Sequence, residues 1–205
     1  MCRPASEGGR RCPSYHEHRE KRNKTRRITY LNNVTEKRAN KIRQEWGGTV
    51  AIDISDPEVK AAYHIAVLKH SGVRRKTGDA YVDHPLRIAK YLQDKNMSKE
   101  AVIVSLLHDV VEDSDYTLDD LRKHGFNDTI VDGVDSVTKR EGEDPQDSMD
   151  RAAANEIGTQ VKMMDNTDNS SRPQLEFLTV KKRLKAEIQY TERRRVLWAS
   201  LYNQR

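Results

Sequence analysis

Apolar positions recur in helical register over most of the chain. Ser55 or Asp56 can cap a helix with Pro57 in its first turn that stops at Gly72, and Val59, Tyr63, Ala66, Val67 and His70 form one stripe along it. Pro85 opens a second helix with Ile88, Ala89 and Leu92 facing inward. Ser98 caps a third, and its run AVIVSLLHDVV is apolar almost all round, which predicts the buried centre of the fold. Thr117, with Asp120 three residues on, starts a short helix closed by Gly125. Further helices are expected at 127–137, 147–154, 156–170 and 175–203, the last with Leu184, Ile188, Leu197 and Leu201 packed inward and its alternating charges in solvent. His70 reads as a packed core histidine, His64 and His124 as surface or helix-end residues. No strand pattern exceeds a few residues and no segment repeats, so the fold class is all-α.

A chain of 205 residues suits one domain with a sizeable core, yet 34% of it is charged and mean hydropathy is −0.92, which is polar for a packed fold. The charge is uneven. Residues 1–47 hold thirteen Lys and Arg against five Asp and Glu, a net of +8, and the remainder carries −3. Residues 1–48 therefore read as a basic, largely flexible arm too poor in large apolar side chains to offset ordering entropy, apart from a short polar helix at 34–46. Residues 49–205 form the domain, entered through a brief extended piece, TVAIDI. Basic density from Arg19 to Arg27 suits weak electrostatic contact with nucleic acid rather than sequence reading. Cys2 and Cys12 match no metal or redox spacing, although His16 and His18 follow. No run approaches the roughly 18 apolar residues of a membrane span, and no signal peptide is visible, so a soluble, cytoplasmic protein is expected.

The candidate chemistry sits where the apolar third helix ends, at His108-Asp109, with Glu112-Asp113 one turn later. Ionisable groups directly after a buried run are expensive unless a cation compensates them. His84 stands before Pro85, so its side chain is expected to project beyond the helix end, and Asp165 and Asn169 lie four apart on one helix face. Two imidazoles and two carboxylates make a mixed donor set suited to Mn, Fe, Zn or Mg.

The segments HSGVRRKTGDAYVDHPLRIAKYL, AVIVSLLHDVVEDSDYTLDDL, VDGVDSVTK and VKMMDNTDN together resemble the HD superfamily of phosphohydrolases, and within it the hydrolase domain of RelA/SpoT alarmone enzymes and their small relatives. The resemblance implies that His84, His108, Asp109 and Asp165 hold a divalent metal, usually Mn2+, and that Glu112 and Asp113 position or deprotonate the attacking water. It implies further that Arg75 and Lys76 grip substrate phosphates, that Asn169 faces the substrate, and that the reaction removes the 3′ pyrophosphate of (p)ppGpp. No synthetase segment follows, which implies degradative chemistry only. The chain departs from the family's common Ala-Asp-Arg in having Met164-Asp165-Asn166, which removes a positive charge beside a ligand. Two other readings stand beside this one: an HD phosphohydrolase for another nucleotide, and a non-catalytic protein that binds nucleotide or nucleic acid. Both expected acids and all four expected ligands are present, which ranks the alarmone hydrolase first.

Overall fold

Asp56 accepts hydrogen bonds from the backbone N–H of Glu58 (2.8 Å) and Val59 (3.2 Å), and with Pro57 behind it this cap starts α1, Pro57–Lys69. The computed structural model describes residues 50–171 and 175–203. The basic arm, its cysteines, the helix expected at 34–46 and the boundary at 48/49 lie outside them. Seven more helices follow α1 among the described residues before the long last one: α2, Asp83–Asp94; α3, Lys99–Leu107; α4, Val110–Asp113; α5, Leu118–His124; α6, Asp128–Val137; α7, Pro145–Ala153; and α8, Glu156–Asn169. The last is α9, Val180–Asn203. None of the described helices is long and apolar enough to cross a membrane.

The capping residues read from the sequence do their expected work. Ser98 accepts from the Ala101 N–H, and Thr117 and Asp120 form a reciprocal capping box before Gly125 ends α5 in the left-handed region at φ 95°. Every residue of α3 from Ala101 to Leu107 is buried, so α3 is the central helix, with α1, α2, α6 and α8 packed around it. Two glycines permit the closest approaches. A Cβ on Gly133 of α6 would lie 2.8 Å from the Val104 side chain of α3, and one on Gly158 of α8 would collide with Ser136 Oγ of α6.

Four expectations need correction. α3 stops at Leu107, where AVIVSLLHDVV had suggested one helix, and a turn at His108-Asp109 separates it from α4. α2 begins at Asp83 rather than Pro85, because the first N–H groups of a helix have no intrahelical partner and Pro85 costs nothing there. His64 is a core residue, 1% exposed. On α9, Leu197 is buried and Leu201 packs beside it, but Leu184 and Ile188 are more than half exposed. Its 24 residues span about 36 Å against about 21 Å for α8, too short a partner to cover the whole helix.

Candidate metal centre

Three local structures aim side chains at one point. Residues 74–80 fold into a tight turn, with an isolated bridge between Arg74 and Ala80, the Arg75 N–H bonded to the Asp79 carbonyl (3.0 Å), and Gly78 at φ 89°. The turn directs the Arg75 side chain inward, where it is 9% exposed, and leaves Lys76 exposed. The chain then enters α2 with His84 in the first turn, already inside the helix rather than beyond its end. From the opposite side, α8 presents Lys162, Asp165, Asp168 and Asn169 at spacings of three and four, hence on one face.

The break after α3 supplies the remaining donors. His108 Nδ1 lies 2.8 Å from the Ser105 carbonyl oxygen, the group that a continuing helix would offer to the Asp109 N–H. A carbonyl only accepts, so Nδ1 carries the proton and Nε2 faces the cluster. His108 Nε2 is buried, has no hydrogen-bond partner, and stands 3.2 Å from Asp109 Oδ2. His84 Nε2 is 3.2 Å from Asp165 Oδ1 and 3.7 Å from Asp109 Oδ2. The Tyr81 hydroxyl donates to Asp109 Oδ2 (2.8 Å), and Lys162 Nζ is 3.0 Å from Asp165 Oδ2.

The acidic and basic groups of the cluster shift one another's titration. Burial would push the Asp165 carboxyl up, but Lys162, His84 and His108 hold it well below the ordinary range. Burial opposes protonation of His84 too, and its bonds to Asp165 and Asp168 outweigh that and raise it to about 9. Asp113 is pushed up by burial and by the neighbouring Asp109. Burial lowers His70 to about 4, consistent with a neutral ring packed 4.9 Å from that of Tyr81.

These residues fit a divalent cation. The donor atoms of His84, His108 and Asp165 all lie within 4.8 Å of one another, and an ion with bonds of about 2.1 Å holds neighbouring donors about 3 Å apart and opposite ones about 4.2 Å apart. Asp109 borders the same point, and the orphaned His108 Nε2 is the kind of buried acceptor that a metal satisfies.

Of the residues singled out in the sequence, His84, His108, Asp109, Asp165, Asn169 and Arg75 come together. Asn169 Nδ2 donates to Asp165 Oδ1 (2.5 Å), and Arg75 Nη2 donates to Asn169 Oδ1 (2.7 Å). Glu112 and Asp113 lie on α4 beside them, Glu112 accepting from the Lys139 N–H (3.0 Å). Lys76 is not drawn into the cluster. Sequence reasoning missed Asp168, Arg87, Tyr81 and Lys162. For Lys162 and Asp168 the signal was available in their spacing from Asp165; for Tyr81 and Arg87 it was not.

A protein-family model described as HD domain matches residues 62–200. The chain is 42% identical over 82 residues to a GTP pyrophosphokinase of Streptomyces coelicolor, and 39% identical over 82 residues to a guanosine-3′,5′-bis(diphosphate) 3′-pyrophosphohydrolase of Aquifex aeolicus. These stretches cover 40% of this chain and 10% and 12% of those much longer proteins. A solved structure of a metazoan ortholog of SpoT that hydrolyses ppGpp superposes with a TM-score of 0.59 at 22% identity, over 73% of this chain and 88% of that one. That likeness is one of fold.

Proposed function

The chain belongs to the HD domain family, and we propose that it is a metal-dependent phosphohydrolase that removes the 3′ pyrophosphate of ppGpp or pppGpp. The observation that carries this reading is the buried convergence of His84, His108 and Asp165 within 4.8 Å, with Asp109 beside them and the Arg75 guanidinium one residue away across Asn169. The similarity to a named ppGpp 3′-pyrophosphohydrolase supports the choice of substrate.

In this reading His84, His108, Asp109 and Asp165 hold the ion, with Mn2+ as the preferred metal. When bound it supplies Lewis acidity toward the phosphoryl group and lowers the pKa of water toward neutrality. The chain's own residues do the rest. Asp113, its carboxyl raised by partial burial and by Asp109, accepts the proton of the attacking water, and Glu112 orients that water. Arg75 spends one N–H on Asp168 and one on Asn169, which leaves three of its five for phosphate oxygens. Lys76 adds a solvent-side positive charge, and Asn169 offers its second N–H to the nucleotide. Water's oxygen bonds to the phosphorus attached to the 3′ oxygen as that phosphorus–oxygen bond breaks, and the proton taken by Asp113 passes through solvent to the leaving 3′ oxygen, so ppGpp and water become GDP and pyrophosphate. A cytoplasmic location goes with this reading.

The test is hydrolysis of ppGpp with Mn2+, beside pppGpp, GTP and dNTPs, for the wild type, His108→Ala and Glu112→Ala. Pyrophosphate release from ppGpp that disappears in both variants is expected. Turnover of a different nucleotide alone would discard the substrate, and binding of metal without any turnover would discard the enzyme.

A further inference from the structure

Asp168 is the most heavily used carboxylate in the site, although the metal reading gives it no task. Its Oδ2 accepts from His84 Nδ1 (2.7 Å), Arg75 Nη1 (2.8 Å) and Arg87 Nη2 (3.0 Å), and its Oδ1 accepts from Arg87 Nε (2.6 Å). The side chain is 14% exposed, that of His84 3%. With the contacts already described, these bonds close a ring: His84 to Asp168, Asp168 to Arg75, Arg75 to Asn169, Asn169 to Asp165, and Asp165 back to His84. The ring joins the 74–80 turn, α2 and α8.

We infer that Asp168 is a positioning residue that sets two things with one carboxylate: the tautomer and tilt of His84, and the aim of Arg75. A carboxylate on Nδ1 requires the proton there, so the lone pair of a neutral His84 sits on Nε2, facing Asp165 and Asp109. The same oxygen fixes Arg75, so the cation donors and the phosphate donor move as a unit. Arg87 grips both oxygens in a two-pronged pair, Nε on Oδ1 and Nη2 on Oδ2, and keeps the carboxylate from turning away. This assignment rests on the metal-centre reading above.

The test uses the whole chain, with Mn2+ as probe. Asp168→Asn keeps the shape but turns an amide N–H toward one of the donors, and it is expected to weaken Mn2+ binding by about 10–100-fold, the usual effect of losing a carboxylate behind a ligating histidine. It also raises KM more than it lowers kcat, because Arg75 is released. Because the substitution leaves Arg75 and Arg87 facing each other, the double variant Asp168→Asn/Arg87→Gln, which restores the charge balance, is measured beside it. Mn2+ affinity that stays low in the double variant supports positioning; affinity restored to the wild-type value would show that Asp168 only balances charge and would overturn it. In the metal-free wild type, a hydrogen-bonded His84 Nδ1–H gives a downfield, slowly exchanging proton resonance that Asp168→Ala, which leaves no oxygen to accept it, abolishes. Persistence of that resonance in the variant would sink the assignment whatever the enzyme does. A wild type that fails to bind Mn2+ would remove the metal-centre reading itself, and the inference with it.

Discussion

His108 Nδ1 lies 2.8 Å from the Ser105 carbonyl oxygen, and this one contact both ends the central helix and turns His108 Nε2 toward Asp109. Asp109, with φ −98° and ψ −8°, becomes the cap of α4 instead of a residue inside a longer helix. His108→Ala frees the Ser105 carbonyl for the Asp109 N–H, so α3 is expected to run on into α4. Amide exchange should then show Asp109 more protected than in the wild type. The same variant loses a donor outright and should bind Mn2+ more than about 100-fold more weakly, since losing a group behind the ligand alone costs up to that much. An unprotected Asp109 amide in the variant would mean that something other than His108 stops the helix.

How far the sequence exposes this site depends on how local each constraint is. Caps and apolar faces are local, which is why α1, α5 and α6 were legible from Asp56, Thr117 and the pattern between Asn127 and Val137. Chain order and residue type were enough to bring His84, His108, Asp109 and Asp165 under suspicion. The partners that come from distant segments were hidden: Arg87 and Asp168 are 81 residues apart, Tyr81 and Asp109 are 28 apart. The helix break at His108 was invisible for another reason. It needs no proline or glycine, only a side chain competing for a backbone carbonyl, and helical periodicity carries no trace of that.

Arg75 and Lys76 are neighbours in sequence with opposite structural situations, so their substitutions should separate. Lys76 is exposed, and Lys76→Ala should leave thermal stability within about 0.5 kcal/mol of the wild type while raising KM by about 10-fold, an effect that shrinks as salt is added. Arg75→Gln breaks bonds to both Asp168 and Asn169, and it should raise KM and lower stability together. Equal stability losses in the two variants, followed by denaturant unfolding, would contradict the difference in burial.

Gly158 tests the packing at a residue that contacts Ser136 and none of the proposed metal ligands. Its α-carbon faces Ser136, whose hydroxyl is itself committed to the Gly133 carbonyl at 2.6 Å, so the obstructing atom cannot swing aside without losing its bond. Gly158→Ala gains helix propensity but overpacks the contact between α8 and α6, and a net destabilisation of about 1–3 kcal/mol is expected. Because α8 carries Asp165, Asp168 and Asn169, Mn2+ affinity should fall with it. A variant as stable as the wild type in urea would show that the two helices have room to spare.

The last prediction concerns protons. In the metal-free protein His84 is held protonated up to about pH 9, against about 6.5 for a free imidazole, because Asp165 and Asp168 flank it. A histidine raised on folding stabilises fully below its unfolded pKa, and that contribution is lost as pH rises through the folded value. The metal-free chain should therefore lose thermal stability between about pH 6.5 and pH 9. Metal binding runs the other way. An ion at Nε2 must displace the proton shared with Asp165, so near pH 7 binding should release about one proton from His84, and affinity should climb with pH toward 9. Melting curves in chelator across this range give the first slope. Calorimetric titration with Mn2+ in buffers of different ionisation enthalpy gives the second. Opposite signs are the expected result, and a Mn2+ affinity independent of pH between 6.5 and 9 would mean that His84 is not among the ligands.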